Sequence, residues 1–291
     1  MASVRNLLLS LCIALSLLQS VLGFVIPHVD LSKRVYGGFN MSQSASRHAV
    51  AVYKRISSNS ATVCGGSLIS KEYLITAATC VSGGNGAVAN ASTVTVGYGN
   101  LDRYAQEQVV ATNIFVHPKF FDGKGGSNIQ YNIAVIRIPK LEFTDTVHRI
   151  PIYAGPIDPH VKVLATGWGG AENWTGKKTN LQGAVVTTGD ISTCAKTDAA
   201  FTDQNGPQIC TLVDLSPGKG ICTGDFGSGL LIKYNNKYSL AGVANWLSGG
   251  SDNSGCVGAG AVQHFTHVDY FIDFITQSTG LAKTFLTVGS E

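Results

Sequence analysis

Short apolar runs, each closed by a cluster of turn residues, fill the chain from Ala49 onward, and they constrain its architecture more than any other feature. Runs at 49–56, 73–77, 93–96, 109–116, 133–138, 161–166, 230–234 and 238–244 have the length and content of strands. Gly83-Gly84-Asn85-Gly86 and the stretches 123–127 and 248–255 separate them as loops. With 34 glycines among such runs, an all-β strand-and-turn design is expected and a bundle of long helices is not. The 291 residues are 44% apolar and 13% charged, enough for a sizeable core in one large all-β domain or two ordinary ones. One helix stands out near the end. Val268, Phe271, Ile272 and Ile275 form an apolar stripe, with Asp269 and Asp273 on the other face. Beyond Gly280 the chain reads as a frayed tail, 280–291.

Charge excludes one large class of function. The chain carries +3, but Arg5, Lys33, Arg34 and the single acid Asp30 precede Val35, so the remainder carries only +1. That balance does not suit a nucleic-acid binder that works by bulk charge. The glycine clusters lack a following Gly-Lys-Ser/Thr, so they are not phosphate loops. No repeat of solenoid length occurs. No cofactor is indicated.

Residues 1–23 read as a secretory signal. Arg5 supplies the positive start, Leu7 to Leu18 is almost wholly apolar, and Val21-Leu22-Gly23 ends in a small residue suited to cleavage, with Ser20 as a second choice. The apolar run is too short for a membrane anchor, and no later stretch approaches about 20 apolar residues. A secreted, extracellular product is expected. Residues 24–34 form a propeptide-like segment ending in Lys33-Arg34, a dibasic processing signal or an ordinary exposed loop. Six cysteines follow the signal, namely Cys64, Cys80, Cys194, Cys210, Cys222 and Cys256. They allow fifteen pairings by arithmetic, and none is spaced as CxxC, so no metal site is expected. Three sequons, at Asn40, Asn90 and Asn173, are compatible with glycosylation on surface loops.

Four segments in order carry a family resemblance. Arg34-Val35-Tyr36-Gly37-Gly38 resembles an activation site. Cys64-Gly65-Gly66-Ser67-Leu68-Ile69, running to Leu74-Ile75-Thr76-Ala77-Ala78-Thr79-Cys80, is similar to a CGGSLI…LTAAHC segment. Tyr131-Asn132-Ile133-Ala134-Val135-Ile136-Arg137 is similar to an NDIALIRL strand. Cys222-Thr223-Gly224-Asp225-Phe226-Gly227-Ser228-Gly229-Leu230 is similar to a CxGDSGGPL loop. Thr166-Gly167-Trp168-Gly169 and the stretch 268–275 add matches. Together they resemble the trypsin/chymotrypsin-like serine proteases over about residues 35–279. The resemblance implies two six-stranded antiparallel Greek-key barrels with a C-terminal helix. It also implies the disulfides Cys64–Cys80, Cys194–Cys210 and Cys222–Cys256, each contributing on the order of 3 kcal/mol.

The same resemblance shows what is missing. Peptide cleavage on this fold needs a serine to attack, a histidine to take its proton and an aspartate to hold the imidazole. The matching positions hold Thr79, Asn132 and Phe226. Threonine cannot serve as a base near neutral pH, asparagine carries no charge, and phenylalanine has no nucleophilic atom. Loss of a triad costs on the order of a millionfold in turnover. Ser228 lies roughly 6–7 Å of extended chain beyond Phe226 and outside a Gly-x-Ser-x-Gly elbow, which makes it a small turn residue in preference to a relocated nucleophile. The backbone N–H groups of Gly224 and Phe226 match an oxyanion hole.

Around the specificity pocket, Gly220 stands where a trypsin-like enzyme holds an aspartate, and Asn245-Trp246-Leu247 stands where the family has Ser-Trp-Gly. Leu247 is expected to crowd the pocket mouth, and Trp246 is either a contact or a half-buried edge residue. The activation-like residues Arg34, Val35 and Asp225 are kept. Cleavage after Arg34 is expected to let the Val35 ammonium pair with Asp225, although Asp225 could simply satisfy loop N–H groups.

The expected function is that of a secreted, monomeric, non-catalytic homologue that binds or inhibits another extracellular protein, a glycoside hydrolase or a protease. The nearest analogy is to the glucanase inhibitor proteins of plant-pathogenic oomycetes, trypsin-like chains with damaged triads that bind plant cell-wall glucanases; the threonine at position 79 is similar to theirs. The alternatives are an active endopeptidase with atypical residues and a carbohydrate- or surface-binding module built on Tyr98, Tyr104, Trp174 and Trp246.

Overall fold

The computed structural model describes residues 38–83, 86–121, 129–169, 179–215, 218–222, 224–248, 256 and 260–289. The activation-like Arg34 and Val35, the sequon Asn173, Trp174 and the signal-like segment lie outside the described residues.

Seven strands build the first sheet: β1 (Ala49–Ser57), β2 (Ser60–Leu68), β3 (Tyr73–Thr76), β4 (Val94–Tyr98), β5 (Glu107–Val110), β6 (Asn113–Val116) and β7 (Ala134–Arg137). Their order is β5-β4-β1-β2-β3-β7-β6, with every pair antiparallel. The two end strands, β5 and β6, are consecutive in the chain and separated only by Ala111 and Thr112. They are the two halves of one bent strand, so the sheet closes on itself as a six-stranded barrel and leaves no long edge. The run read at 109–116 is this bent strand.

The second barrel comprises β8 (Lys162–Gly167), β9 (Gln182–Thr188), β10 (Gln208–Leu212), β11 (Gly229–Tyr234), β12 (Lys237–Ser248) and β13 (Val262–His267). The path β11-β8-β9-β10-β13-β12 is closed by antiparallel pairing of β11 with β12. That hairpin turns at Asn235 and Asn236, both with positive φ (47° and 62°). Asparagine tolerates this backbone region better than other side chains do, and such two-residue turns match the twist of paired strands. Three short strands decorate the barrel: Phe39–Asn40 on β9, Ile152–Tyr153 on β12, and Thr287–Val288 on Ile152–Tyr153.

The helical stripe forms as expected. Val268, Phe271, Ile272 and Ile275 are all buried against the first barrel's core. The helix Ile272–Thr279 ends on Gly280, whose φ of +71° and N–H bond to Thr276 O (2.8 Å) make a left-handed cap. The expectation of a frayed tail is corrected. A short helix, Lys283–Leu286, and the strand Thr287–Val288 follow, and Leu286 is fully buried. Parallel pairing with Ile152–Tyr153 gives this segment the backbone partners a frayed end lacks.

The three disulfides are Cys64–Cys80, Cys194–Cys210 and Cys222–Cys256. They close loops of 16, 16 and 34 residues, each removing about 3–4 kcal/mol of unfolded-state entropy in the chain-entropy account. Such bonds persist in oxidising compartments. Among the described residues no helix is long and apolar enough to cross a membrane.

Candidate functional site

Thr79, Asn132 and Phe226 arrive from three separate places in the chain. Thr79 sits in the 3-10 turn Ala78–Cys80 after β3. Asn132 follows the turn Ile129–Tyr131 and precedes β7. Phe226 lies in the loop before β11. The Thr79 N–H donates to Asn132 Oδ1 (2.9 Å), and Asn132 Nδ2 approaches Thr79 Oγ1 at 3.4 Å. Asn132 Nδ2 also donates to Asn245 Oδ1 (2.6 Å), and Asn245 Nδ2 donates to the Ile129 carbonyl (2.6 Å). Thr266 Oγ1 donates to Asn132 O at 3.0 Å. Asn132 and Asn245 are both buried, whereas Thr79 is exposed. The result is a chain of neutral amides and hydroxyls whose donors and acceptors satisfy one another.

The loop carrying Phe226 is fastened beside this chain. Gly65 N–H donates to Phe226 O (2.8 Å), Gly227 N–H to Ala244 O (2.9 Å), and Ala244 N–H to Ser228 O (2.8 Å). Gly227 has φ +83°, and a Cβ there would strike Gly65 O and Thr76 Oγ1. Only glycine suits both demands. The Phe226 ring packs on the first barrel's core. The N–H groups of Gly224 and Phe226 enter no backbone hydrogen bond among the described residues.

Asp225 is completely buried. Its carboxylate accepts the N–H of Gly169 (2.6 Å) and of Cys222 (2.9 Å). A side chain at Gly167 would collide with it, which explains why Thr166-Gly167-Trp168-Gly169 matters to this loop.

Ser228 is buried too, and its Oγ has no hydrogen-bond partner among the described residues. It is wedged against Gly65, where any Cβ would meet its side chain. No described histidine stands beside it. His117 stacks on Tyr131 (5.0 Å between centroids) and accepts the Lys119 N–H at Nδ1 (3.2 Å); burial, then Lys119, pushes its pKa down. His148 stacks on Phe143 (4.5 Å). His267 Nδ1 donates to Gly206 O (3.0 Å).

One imidazole does lie beside a hydroxyl. His264 Nε2 is 3.1 Å from Thr197 Oγ1. The Thr197 hydroxyl proton goes to the Cys194 carbonyl (3.0 Å), so the imidazole donates to the oxygen and is not poised to deprotonate it. His264 is also fully buried, and burial lowers its pKa to about 4. Its ring stacks flat on Trp246 (4.1 Å, 0°). Trp246 is half-buried, its indole N–H donating to Gln208 Oε1 (3.3 Å).

At the pocket, any side chain on Gly220 would run into the Gln263 carboxamide. Gln263 is fully buried, accepting the Ile221 N–H (3.0 Å) and donating to Ile221 O (3.1 Å). Leu247 is its cross-strand partner and packs on both Ile221's cluster and the Cys222–Cys256 cluster. Sequence reading singled out Leu247 and overlooked Gln263. Nothing local marks Gln263, since every residue of β13 is buried; only the pairing of Leu247 with Gln263 brings it under Gly220.

Asn40 and Asn90 are exposed. Asn40 Oδ1 accepts from Gln182 Nε2 (2.7 Å), and Asn90 caps the turn Ala91–Thr93 through Ser92 N–H (3.0 Å). Tyr98 donates its hydroxyl to Glu107 (3.0 Å), and Tyr104 is exposed. Among the described residues no cluster of His, Cys, Asp or Glu could hold a metal.

The family model for trypsin matches residues 35–275. The chain belongs to the trypsin family. This trypsin-family chain is 31% identical to Brachyurin of Leptuca pugilator over 222 residues, 75% of this chain and 88% of that protein. It is 27% identical to Serine protease 1 of Drosophila melanogaster over 263 residues, 88% of this chain and 89% of the other. It is 24% identical to Chymotrypsin-like elastase family member 1 of Bos taurus over 261 residues, 86% and 91% of the two chains. As a trypsin-family member it carries the two barrels, the terminal helix and the three disulfides that its motifs imply.

Proposed function

We propose that this chain is a secreted, non-catalytic member of the trypsin family that acts as a monomer by binding an extracellular protein. One observation carries the reading. Where the family needs an acid, a base and a nucleophile, Asn132 joins Thr79 and Asn245 in a network without a charge, and Phe226 offers only a ring packed on the core. No proton can be taken from an attacking oxygen by these groups at neutral pH. What the fold then offers is a surface. A glycoside hydrolase of the plant cell wall is the first partner to try, by analogy with the glucanase inhibitors, and a protease is the second.

The test uses the full chain, before and after cleavage at Arg34. Incubation with casein and with a fluorophosphonate probe is expected to give neither hydrolysis nor labelling. Labelling at Ser228, or hydrolysis abolished by Ser228→Ala, would establish an endopeptidase instead. Immobilised protein is then challenged with purified cell-wall glucanases and extracellular proteases. Binding with loss of the partner's activity supports the inhibitor reading, and retention on insoluble glucan without a protein partner would favour the carbohydrate-binding alternative.

A further inference from the structure

A second site lies away from the Thr79–Asn132 network, at the junction between residues 44–48 just before β1, residues 148–151, and the β11–β12 hairpin. A cavity of about 610 Å³ opens there, lined by Arg47, His48, His148, Arg149, Lys237 and Tyr238 among others, and no acidic residue among the described ones lines it. Three permanent cations face one space in a chain that is otherwise nearly neutral. The described ion pairs are Lys71–Glu142 and Arg137–Glu72, so Arg47, Arg149 and Lys237 have no carboxylate partner among the described residues.

The two guanidinium groups are only part-satisfied. Arg47 Nε and Arg149 Nη1 are shut off from solvent without a hydrogen-bond acceptor among the described residues. Those two atoms are out of a ligand's reach, and the remaining N–H groups of each fork are the ones that a molecule in the cavity would meet. The forks are also held in place. Arg149 lies over the Phe285 ring, 4.3 Å from its centroid. The His148 N–H donates to Arg47 O (2.9 Å), which ties the two arginine segments together. His48 is held neutral by burial, with its pKa lowered to about 4, so at neutral pH it adds a polar ring and no charge.

We propose that this cavity binds the phosphate or sulfate monoester of a sugar-sized molecule. An arginine presents a planar fork that matches a tetrahedral oxyanion through two parallel bonds, and two arginines line this cavity. The volume falls in the usual range for small organic ligands and far exceeds one inorganic anion. Ile150 and Pro151, which also line it, offer apolar wall for the rest of the ligand. The site is independent of the Thr79–Asn132 network, and its failure would leave the non-catalytic reading untouched.

The experiment is calorimetric titration of the full chain in 0.15 M salt with glucose 6-phosphate, glucose 6-sulfate, glucose and inorganic phosphate. One or both esters are expected to bind with a Kd below about 1 mM. Inorganic phosphate should bind at least about tenfold more weakly, and glucose not at all. The tighter ester identifies whether the source is a phosphorylated or a sulfated sugar. Arg47→Gln and Arg149→Gln should each weaken ester binding about tenfold or more. Lys237→Gln, on the exposed hairpin, keeps the test decisive should either arginine variant fail to fold, and should weaken binding a few-fold. Absence of ester binding up to 10 mM, equal binding of glucose, or unchanged affinity in the folded variants would each overturn the site.

Discussion

Asn132 Nδ2 donates to Asn245 Oδ1 across 2.6 Å, linking the segment that leads into β7 to β12. This bond joins the two barrels with neutral amides at the position where a family protease would hold a carboxylate. It fixes the consequence of any attempt to restore the missing groups. An aspartate at 132 turns a donor into an acceptor facing Asn245 Oδ1. Relief requires Asn245 to flip and to give up its bond to Ile129 O.

The triple variant Thr79→His, Asn132→Asp, Phe226→Ser is therefore expected to hydrolyse peptide p-nitroanilides with kcat/KM below about 10³ M⁻¹s⁻¹, under the ordinary enzymic range. Further exchange of Gln263 and Leu247 for glycine should raise the rate at least about tenfold by opening the space beneath Gly220. Trypsin-like rates from the triple variant alone would show that neither side chain obstructs the pocket.

Ser228→Ala removes a buried hydroxyl that has no partner among the described residues. Its expected effect on stability is neutral to about 1 kcal/mol stabilising, measured as a denaturant midpoint, because no hydrogen bond is lost and a desolvation cost is relieved. A loss of more than about 1 kcal/mol would mean that the hydroxyl holds a bond of its own.

Asp225→Ala strands the buried N–H groups of Gly169 and Cys222. The expected loss is about 2–5 kcal/mol even before cleavage after Arg34. A greater loss after cleavage is expected, since the freed Val35 ammonium would then lose its carboxylate. Equal losses in the two forms would argue that Asp225 serves the loop alone.

Acid should weaken the fold through two buried histidines. Burial lowers His48 and His264 from 6.5 to about 4. Each binds a proton more readily in the unfolded chain, so its contribution is full above pH 6.5 and is lost as pH falls toward 4. Between pH 7 and 4.5 the loss is about 2–3 kcal/mol for each. Urea midpoints across that range should show it, and His264→Phe should flatten the slope relative to the parent chain.

Leu286→Ala should cost about 2–5 kcal/mol, since the side chain is fully buried beneath the terminal segment. Thermal unfolding of the variant distinguishes a docked end from a loose one, for which the change would be negligible.

Much of this molecule is legible residue by residue. The strands at 49–56, 73–77 and 230–234, the terminal helix and the three substituted positions at 79, 132 and 226 depend on local pattern and motif spacing, which a sequence carries directly. The docked tail was not legible, because Leu286 gains its worth only from the backbone of Ile152–Tyr153 and a core built far upstream. Gln263 under Gly220, the Asn132–Asn245 bond and the gathering of Arg47, Arg149 and Lys237 around one cavity are products of strand register and barrel closure. By itself the sequence determined which chemical groups exist and which family fold carries them. Only the tertiary structure decided which of those groups meet, because hydrogen bonds and unpaired charges act over a few ångströms of space and are indifferent to the hundred residues of chain between them.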